Sequence, residues 1–223
     1  LFEEAVRSQL KVRAIAGDRP GSDAPDPAIP SFQFSAPLMK SLSEVETHQG
    51  LIALVDRPRF TGDWLKKKDV FILILDGVQD PGNVGTLFRT AEAAGVSGVL
   101  MTRGGADPLS PKALRASAGS AFRLPHLHDL APEELLALLP SRIDLVAAVT
   151  APLAASVFGE TSLALPLALA LGSEGSGLDP RIEGAASARV RIPSAGRVES
   201  LNVAAAGAVL MFEIARRAGS LRG

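Results

Sequence analysis

The chain has 223 residues, 47% hydrophobic and 21% charged, enough apolar material for one domain of ordinary size with a smaller partner, which excludes a disordered chain. It contains no cysteine, which excludes disulfides, thiolate metal sites and a cysteine nucleophile and fits a reducing compartment. A net charge of −1 offers nucleic acid no global attraction, so any site for RNA has to be a local patch.

No apolar stretch reaches the roughly 18 residues of a membrane span, and the opening LFEEAVRSQL lacks the apolar core and cleavage site of a secretory signal. A cytoplasmic protein is expected. Because it opens on Leu1, the numbering is expected to start inside a longer chain. Phe2, Ala5, Val6 and Leu10 share a helical stripe, and Val12, Ala14 and Ile15 follow as extended chain. Residues 18–37 are proline-rich and read as a loop, Leu38–Thr47 as a short helix capped by Ser41 or Ser43, and Gly50–Val55 as a strand. Residues 58–69, with Lys66, Lys67 and Lys68, read as a solvated linker.

From Val70 strands alternate with helices. Phe71–Leu75 is a continuous apolar run, as expected of a strand buried on both faces. Strands are expected at Val96–Met101, Phe122–Pro125, Leu145–Val149, Leu165–Leu171 and Ala188–Ile192. Helices are expected at Val84–Ala94, Pro111–Ala118, Pro132–Leu139 and Leu201–Arg217. The last is apolar nearly all round and predicts burial, with an Ala/Gly run that permits close approach of another helix. The alternation predicts an α/β fold, a parallel sheet with helices on both faces and ligands beyond the carboxyl ends of its strands.

Three glycine-bearing loops stand at such ends: Asp76–Gly85, leading to a helix with Arg89, then Gly172–Leu178, then Ile192–Val203. Each alone is a common α/β turn. Familiar nucleotide fingerprints are absent: there is no G-x-x-x-x-G-K-S/T, and Pro180 stands where the third glycine of G-x-G-x-x-G is required. That counts against a nucleotide-dependent oxidoreductase. There is no G-x-S-x-G elbow either. His126 and His128 lie two apart, too few ligands for a metal, and none is expected.

Together and in this order, the loops resemble the three motifs of the SpoU/TrmH family within the SPOUT superfamily. Asn83-Val-Gly-Thr-Leu-Phe-Arg89 is similar to the first, Leu171-Gly-Ser-Glu-Gly-Ser-Gly-Leu178 to the second, and Ile192-Pro-Ser with Glu199-Ser-Leu-Asn-Val203 to the third. The resemblance covers residues 70–217. Residues 1–57, above all Pro37–Gly50, resemble the latter part of an L30e-like substrate-binding domain whose first part is missing. The division implied is 1–57 as this partial domain, 58–69 as linker and 70–223 as methyltransferase domain.

The resemblance implies a C-terminal trefoil knot, S-adenosyl-L-methionine as cofactor, and transfer of its methyl to a ribose 2′-hydroxyl of structured RNA. It implies that Gly172, Ile192 and Leu201 contact the cofactor through their backbones; glycine at 172 admits a ligand where a Cβ would obstruct it. Arg89 is the implied catalytic arginine, but a guanidinium titrates above about 12 and is a poor base, so gripping phosphate and orienting the hydroxyl suits it better. Asn83 is expected to position Arg89 or the ribose, and Glu174 to orient its neighbours or accept a proton. Ser200 and Asn202 stand at the start of the last helix, where capping and catalysis both remain open. Arg103, Lys112, Arg115, Arg123 and Arg197 form the candidate RNA patch. A homodimer is implied, and ribosomal RNA is favoured over tRNA by the L30e-like remnant and by the end soon after the third motif's helix, where tRNA members usually carry helical extensions. The alternatives are a tRNA methyltransferase and a catalytically silent RNA-binding module.

Overall fold

The computed structural model describes residues 1–18, 26, 28–43, 50–150, 156–157, 163–196 and 200–221, and the chain divides into two units, Leu1–Arg59 and Phe60–Gly223. The first unit runs α1 (Phe2–Arg7), β1 (Val12–Gly17), β2 (Ser31–Gln33), α2 (Ala36–Leu42) and β3 (Leu51–Val55). Strand β1 is central, parallel to β2 and antiparallel to β3, and Ala5, Ile15 and Met39 are buried. Two expectations shift. The 18–37 segment contains β2, and the helix expected from Leu38 starts at Ala36. Pro37 occupies its first turn, where a missing N–H costs nothing. Ser35, not Ser41 or Ser43, stands at its N-cap. Ser41 lies within the helix and donates to the Leu38 carbonyl, while Ser43 ends it; residues 44–47 of the expected helix lie outside the described residues.

The second unit is built on a sheet in the order β6 (His126–Leu130), β5 (Gly98–Thr102), β4 (Phe71–Asp76), β9 (Leu167–Gly172), β7 (Asp144–Ala148), β10 (Ala188–Arg191), β8 (Ser156–Val157). Every pairing among these strands is parallel. Two-residue periodicity splits the apolar runs between two cores. Phe71, Leu73 and Leu75 join Leu167, Leu169 and Leu171 on one face, under α3 (Pro81–Ala93) and α8 (Val203–Arg217). Val70, Ile72 and Ile74 join Ala168 and Ala170 on the other, with Leu135 of α6 (Pro132–Leu138) and Ile182 of α7 (Pro180–Ala185). The expected parallel sheet with helices on both faces is present.

Three local expectations are corrected. The segment read as a solvated linker carries a 3-10 turn, Gly62–Lys66, whose Trp64 and Leu65 are buried in the second core. The Trp64 indole lies where a Cβ on Gly98 would come within 2.7 Å of it, so glycine in β5 makes room for the ring; Lys66, Lys67 and Lys68 remain exposed. Residues expected as a strand at 122–125 instead include the end of a one-turn helix, α5 (Ser120–Arg123), entered through Gly119 at φ +84, and the strand comes next, at β6. Finally, α8 is not buried all round: Val209 and Phe212 are 40% and 42% exposed. Its glycine serves packing within the unit, since a Cβ on Gly207 would lie 2.5 Å from Leu87 of α3.

Candidate functional site

At the carboxyl end of β4 stands Asp76, the polar end of an otherwise apolar strand and itself buried. Its Oδ1 accepts from Thr102 Oγ1 at 2.7 Å and its Oδ2 from the Asp179 amide at 2.5 Å, while Thr102 Oγ1 accepts from the Gly77 amide at 3.0 Å. One carboxylate thus ties the ends of β4 and β5 to the exit of the Gly172–Leu178 loop. A strand-end acid after five apolar residues is the sequence signal for this tie.

The loop after β9 closes on itself. Ser173 and Gly177 exchange backbone hydrogen bonds of 3.1 and 3.0 Å, and Ser173 Oγ lies 2.8 Å from Ser176 Oγ. A Cβ on Gly172 would sit 2.2 to 2.5 Å from the backbone of Gly177 and Leu178. Glycine is therefore required here by the loop's own closure.

Helix α3 begins at Asp80, whose Oδ1 accepts from the Asn83 amide at 2.9 Å. Lys112 donates to Asp80 Oδ2 at 2.8 Å, and these bonds, the Lys112 one foremost, hold the Asp80 carboxyl below its usual range. The cap presents Asn83 to the other two motifs. Asn83 Nδ2 donates to Glu174 Oε1 at 2.5 Å, and its Oδ1 accepts from Asn202 Nδ2 at 3.1 Å. Asn202 caps α8, its Oδ1 accepting from the Ala204 and Ala205 amides at 2.9 and 3.3 Å. The bonds run one way, from helix amides through Asn202 and Asn83 to the Glu174 carboxylate. Residues 91 and 119 positions apart meet here.

Beside this chain of bonds opens a cleft of about 960 Å³, within the size range of small-molecule sites. Gly172, Glu174, Ile192, Ser200 and Leu201 line it, with an apolar wall from Val203, Ala206 and Leu210 of α8 and a charged wall from Glu183 and Arg189. The charged wall is absent from the sequence expectations; nothing in its spacing marks it. Arg89 is exposed on α3. The basic residues singled out from sequence differ in circumstance. Arg103 donates to Glu134 and to the Asp129 carbonyl, Lys112 is held by Asp80, and Arg123 grips both oxygens of Glu92. Arg115 is exposed on α4 (Pro111–Ala116), and Arg197 lies outside the described residues. His126 is buried, its ring against Phe60 and Phe88.

Residues 70–212 match the model of the SpoU rRNA Methylase family. The chain belongs to that family. Among similar proteins, an uncharacterized tRNA/rRNA methyltransferase of Synechocystis is 43% identical over 85% of this chain and 69% of its own length. The 23S rRNA (guanosine(2553)-2′-O)-methyltransferase RlmP of Bacillus subtilis is 32% identical over 96% of this chain and 85% of its own. In structure the chain is similar to the SpoU methyltransferase AviRb of Streptomyces viridochromogenes in complex with AdoMet, with a TM-score of 0.87 and 25% identity, covering 99% of this chain and 88% of that one. The three loops singled out from sequence are those the Asn202–Asn83–Glu174 bonds draw together. Among the described residues no helix is long and apolar enough to cross a membrane.

Proposed function

We propose that this protein is an S-adenosylmethionine-dependent RNA ribose 2′-O-methyltransferase acting on ribosomal RNA. The observation that carries the reading is the Asn202–Asn83–Glu174 chain of hydrogen bonds at the rim of the cleft, because it joins the three motif loops into one rigid site. Family membership and the names of RlmP and AviRb support the cofactor and substrate class; the Synechocystis relative's name keeps tRNA as the second reading.

The cleft suits the cofactor in chemistry. It offers an apolar wall for an adenine, exposed loop backbone for its ring nitrogens and a charged pair beyond. In this reading Gly172, Ile192 and Leu201 hold the nucleoside through their backbones. When bound, S-adenosylmethionine supplies an electrophilic sulfonium methyl. The chain's own residues then do the positioning. Asn83 is locked by its two bonds, and it fixes the Glu174 carboxylate at the rim, where the acid orients the ribose hydroxyl or accepts its proton. Arg89, exposed on α3, presents its forked donors to RNA phosphate. Ser200 stands at the cleft wall for the same substrate. Alignment of this kind contributes several kcal/mol to a displacement, on the order of 7–11 in favourable cases.

The remaining expectations belong to the same proposal. Residues 1–57, a three-stranded sheet with two helices, serve as an L30e-like RNA-binding part, and the chain from Phe60, whose Trp64 and Leu65 pack into the second core, as the methyltransferase domain. The trefoil knot is carried by the family resemblance; the chain after β10 returns to pack α8 on α3 and β9. The exposed Val209 and Phe212 on α8 suit a homodimer interface, and a cytoplasmic location fits a substrate of ribosomal RNA. Arg115 and Arg197 are kept as RNA contacts, and Arg103, Lys112 and Arg123 join them only by exchanging carboxylate partners for phosphate. Calorimetric titration with S-adenosylhomocysteine, followed by mapping of methylated riboses in RNA from cells with and without the gene, tests the proposal. No binding and no lost methyl would overturn it.

A further inference from the structure

The charged side chains among the described lining residues of the cleft are three: Glu174, Glu183 and Arg189. Glu174 is engaged by Asn83. The other two face each other across the turn between α7 and β10: Arg189 Nε donates to Glu183 Oε1 at 2.8 Å and Arg189 Nη2 to the Glu183 carbonyl at 3.4 Å. Among the described residues these bonds leave the Nη1 edge of the guanidinium and Glu183 Oε2 open to a ligand. With side chains 43% and 38% exposed, neither is buried, and an exposed pair of this kind contributes little to stability. Its place is then better explained by what enters the cleft than by the fold.

Given the cofactor reading above, on which this inference rests, the ligand carries two opposite charges of its own. The amino-acid end of S-adenosylmethionine bears a carboxylate and an ammonium on one carbon. We infer that Arg189 and Glu183 bind that end, the guanidinium taking the carboxylate and the Glu183 carboxylate the ammonium. The pairing is complementary without a net charge change, so neither partner is left desolvated and alone. Arg189 is the one cation among the described lining residues of the cleft, so the carboxylate has no other ionic partner there. The adenosine lies away from this pair, against the apolar wall and the backbones of Gly172, Ile192 and Leu201. Selectivity follows: the cleft should separate the intact cofactor from its nucleoside fragment by charge, at a site away from the reacting methyl.

The test varies ligand and protein together by titration calorimetry, so no turnover is needed. S-adenosylhomocysteine, 5′-methylthioadenosine and decarboxylated S-adenosylmethionine are titrated into the wild-type protein and into Arg189→Met and Glu183→Gln. Arg189→Met should weaken S-adenosylhomocysteine about tenfold, as loss of one charge-assisted contact does, and leave 5′-methylthioadenosine within about twofold. The decarboxylated ligand should bind wild type and Arg189→Met alike. Glu183→Gln should weaken S-adenosylhomocysteine by a smaller factor and again spare 5′-methylthioadenosine. Equal loss for 5′-methylthioadenosine and S-adenosylhomocysteine would overturn the inference, showing contact with the nucleoside or a damaged cleft. Unchanged affinities throughout would overturn it too. If Arg189→Met does not fold, the wild-type comparison of carboxylated and decarboxylated ligands still decides. Should wild type bind none of these ligands, the cofactor reading itself fails, a separate outcome.

Discussion

Asn83 donates its side-chain amide to the Glu174 carboxylate at 2.5 Å, and its own oxygen is already taken by Asn202. The arrangement has one direction only. Asn202 must turn its oxygen to the amides of Ala204 and Ala205, so it offers Asn83 a donor. Asn83 in turn has only a donor left for Glu174. Asn83→Asp breaks this logic by placing a second carboxylate against the first. We expect the variant to fold but to methylate RNA at least tenfold more slowly near neutral pH, with part of the loss recovered as pH falls and one of the two acids takes a proton. A single-turnover rate profile checks this, and a rate equal to wild type across the range would remove Asn83 from the positioning role.

Asn202 has two functions that substitution can separate. Asn202→Asp keeps the acceptor that caps α8 but loses the donor to Asn83; Asn202→Ala loses both. Loss of an N-cap costs about 1 kcal/mol, so denaturant titration should show the alanine variant destabilised by about that much and the aspartate variant by less. Activity should fall in both. A fully active aspartate variant would mean that Asn202 acts as a cap alone.

The large features of this fold were legible because they rest on pattern. The apolar runs at Phe71–Leu75 and Leu167–Leu171 need no partner to be recognised as doubly buried strands. What stayed hidden depends on distant partners. The strand His126–Leu130 lies at the sheet edge and carries two histidines and an aspartate, so neither its composition nor its alternation marks it. Trp64 and Leu65 sit among charged residues and gave a linker-like average, although both point into the core. Among the site residues, the motifs located Asn83, Glu174 and Asn202 but said nothing of their mutual bonds, since 91 and 119 positions separate them. The basic patch shows the reverse: Lys112 and Arg123 looked free in sequence, and Asp80 and Glu92 hold them in the fold.

Two motif glycines should fail differently. In Gly85→Ala the new Cβ would lie 2.3 Å from the Ala113 carbonyl oxygen of α4, so α3 and α4 must separate, at a cost of about 1–3 kcal/mol. In Gly172→Ala it meets the Gly177 backbone at the cleft wall, so the loop must shift where the cofactor is proposed to lie. Thermal melts with and without S-adenosylhomocysteine distinguish them: Gly85→Ala should lower the melting temperature yet keep the ligand-induced rise, and Gly172→Ala should lose that rise. A normal ligand-induced shift in Gly172→Ala would count against its backbone as a cofactor contact.

His126 gives stability a pH dependence of definite sign. Burial against Phe60 and Phe88 disfavours its imidazolium and lowers its pKa from the ordinary 6.5, while Nδ1 lies 3.0 Å from the Leu124 carbonyl. Below about pH 6.5 the unfolded chain binds a proton that the folded chain resists, so stability is complete above that value and declines as pH falls. The denaturation midpoint should therefore drop between about pH 7.5 and 5.5. His126→Phe should flatten that decline, whatever its effect on absolute stability. An unchanged slope in the variant would assign the decline to other groups.

The last prediction separates two roles for Arg89. If it grips RNA phosphate and orients the ribose, Arg89→Lys keeps the charge and loses the two-pronged geometry. Turnover should then fall by tens-fold, the loss of about 2–3 kcal/mol expected for a charge-assisted contact. Affinity for S-adenosylhomocysteine should hardly change, because the cleft is lined by the second and third motifs and not by α3. Glu174→Gln, which keeps an acceptor for Asn83, should cost less than Arg89→Ala. The alternative is that the side chain at 89 removes the proton from the hydroxyl. A lysine ordinarily titrates near 10.4, well below a guanidinium, so in that case the lysine variant should recover steeply as pH rises. Single-turnover methylation of a defined RNA by both proteins, from about pH 6.5 to 9.5, decides between them. A constant ratio fits the grip. A ratio that closes tenfold or more at high pH would make residue 89 the base, and a loss of cofactor affinity in the lysine variant would place Arg89 at the cleft instead.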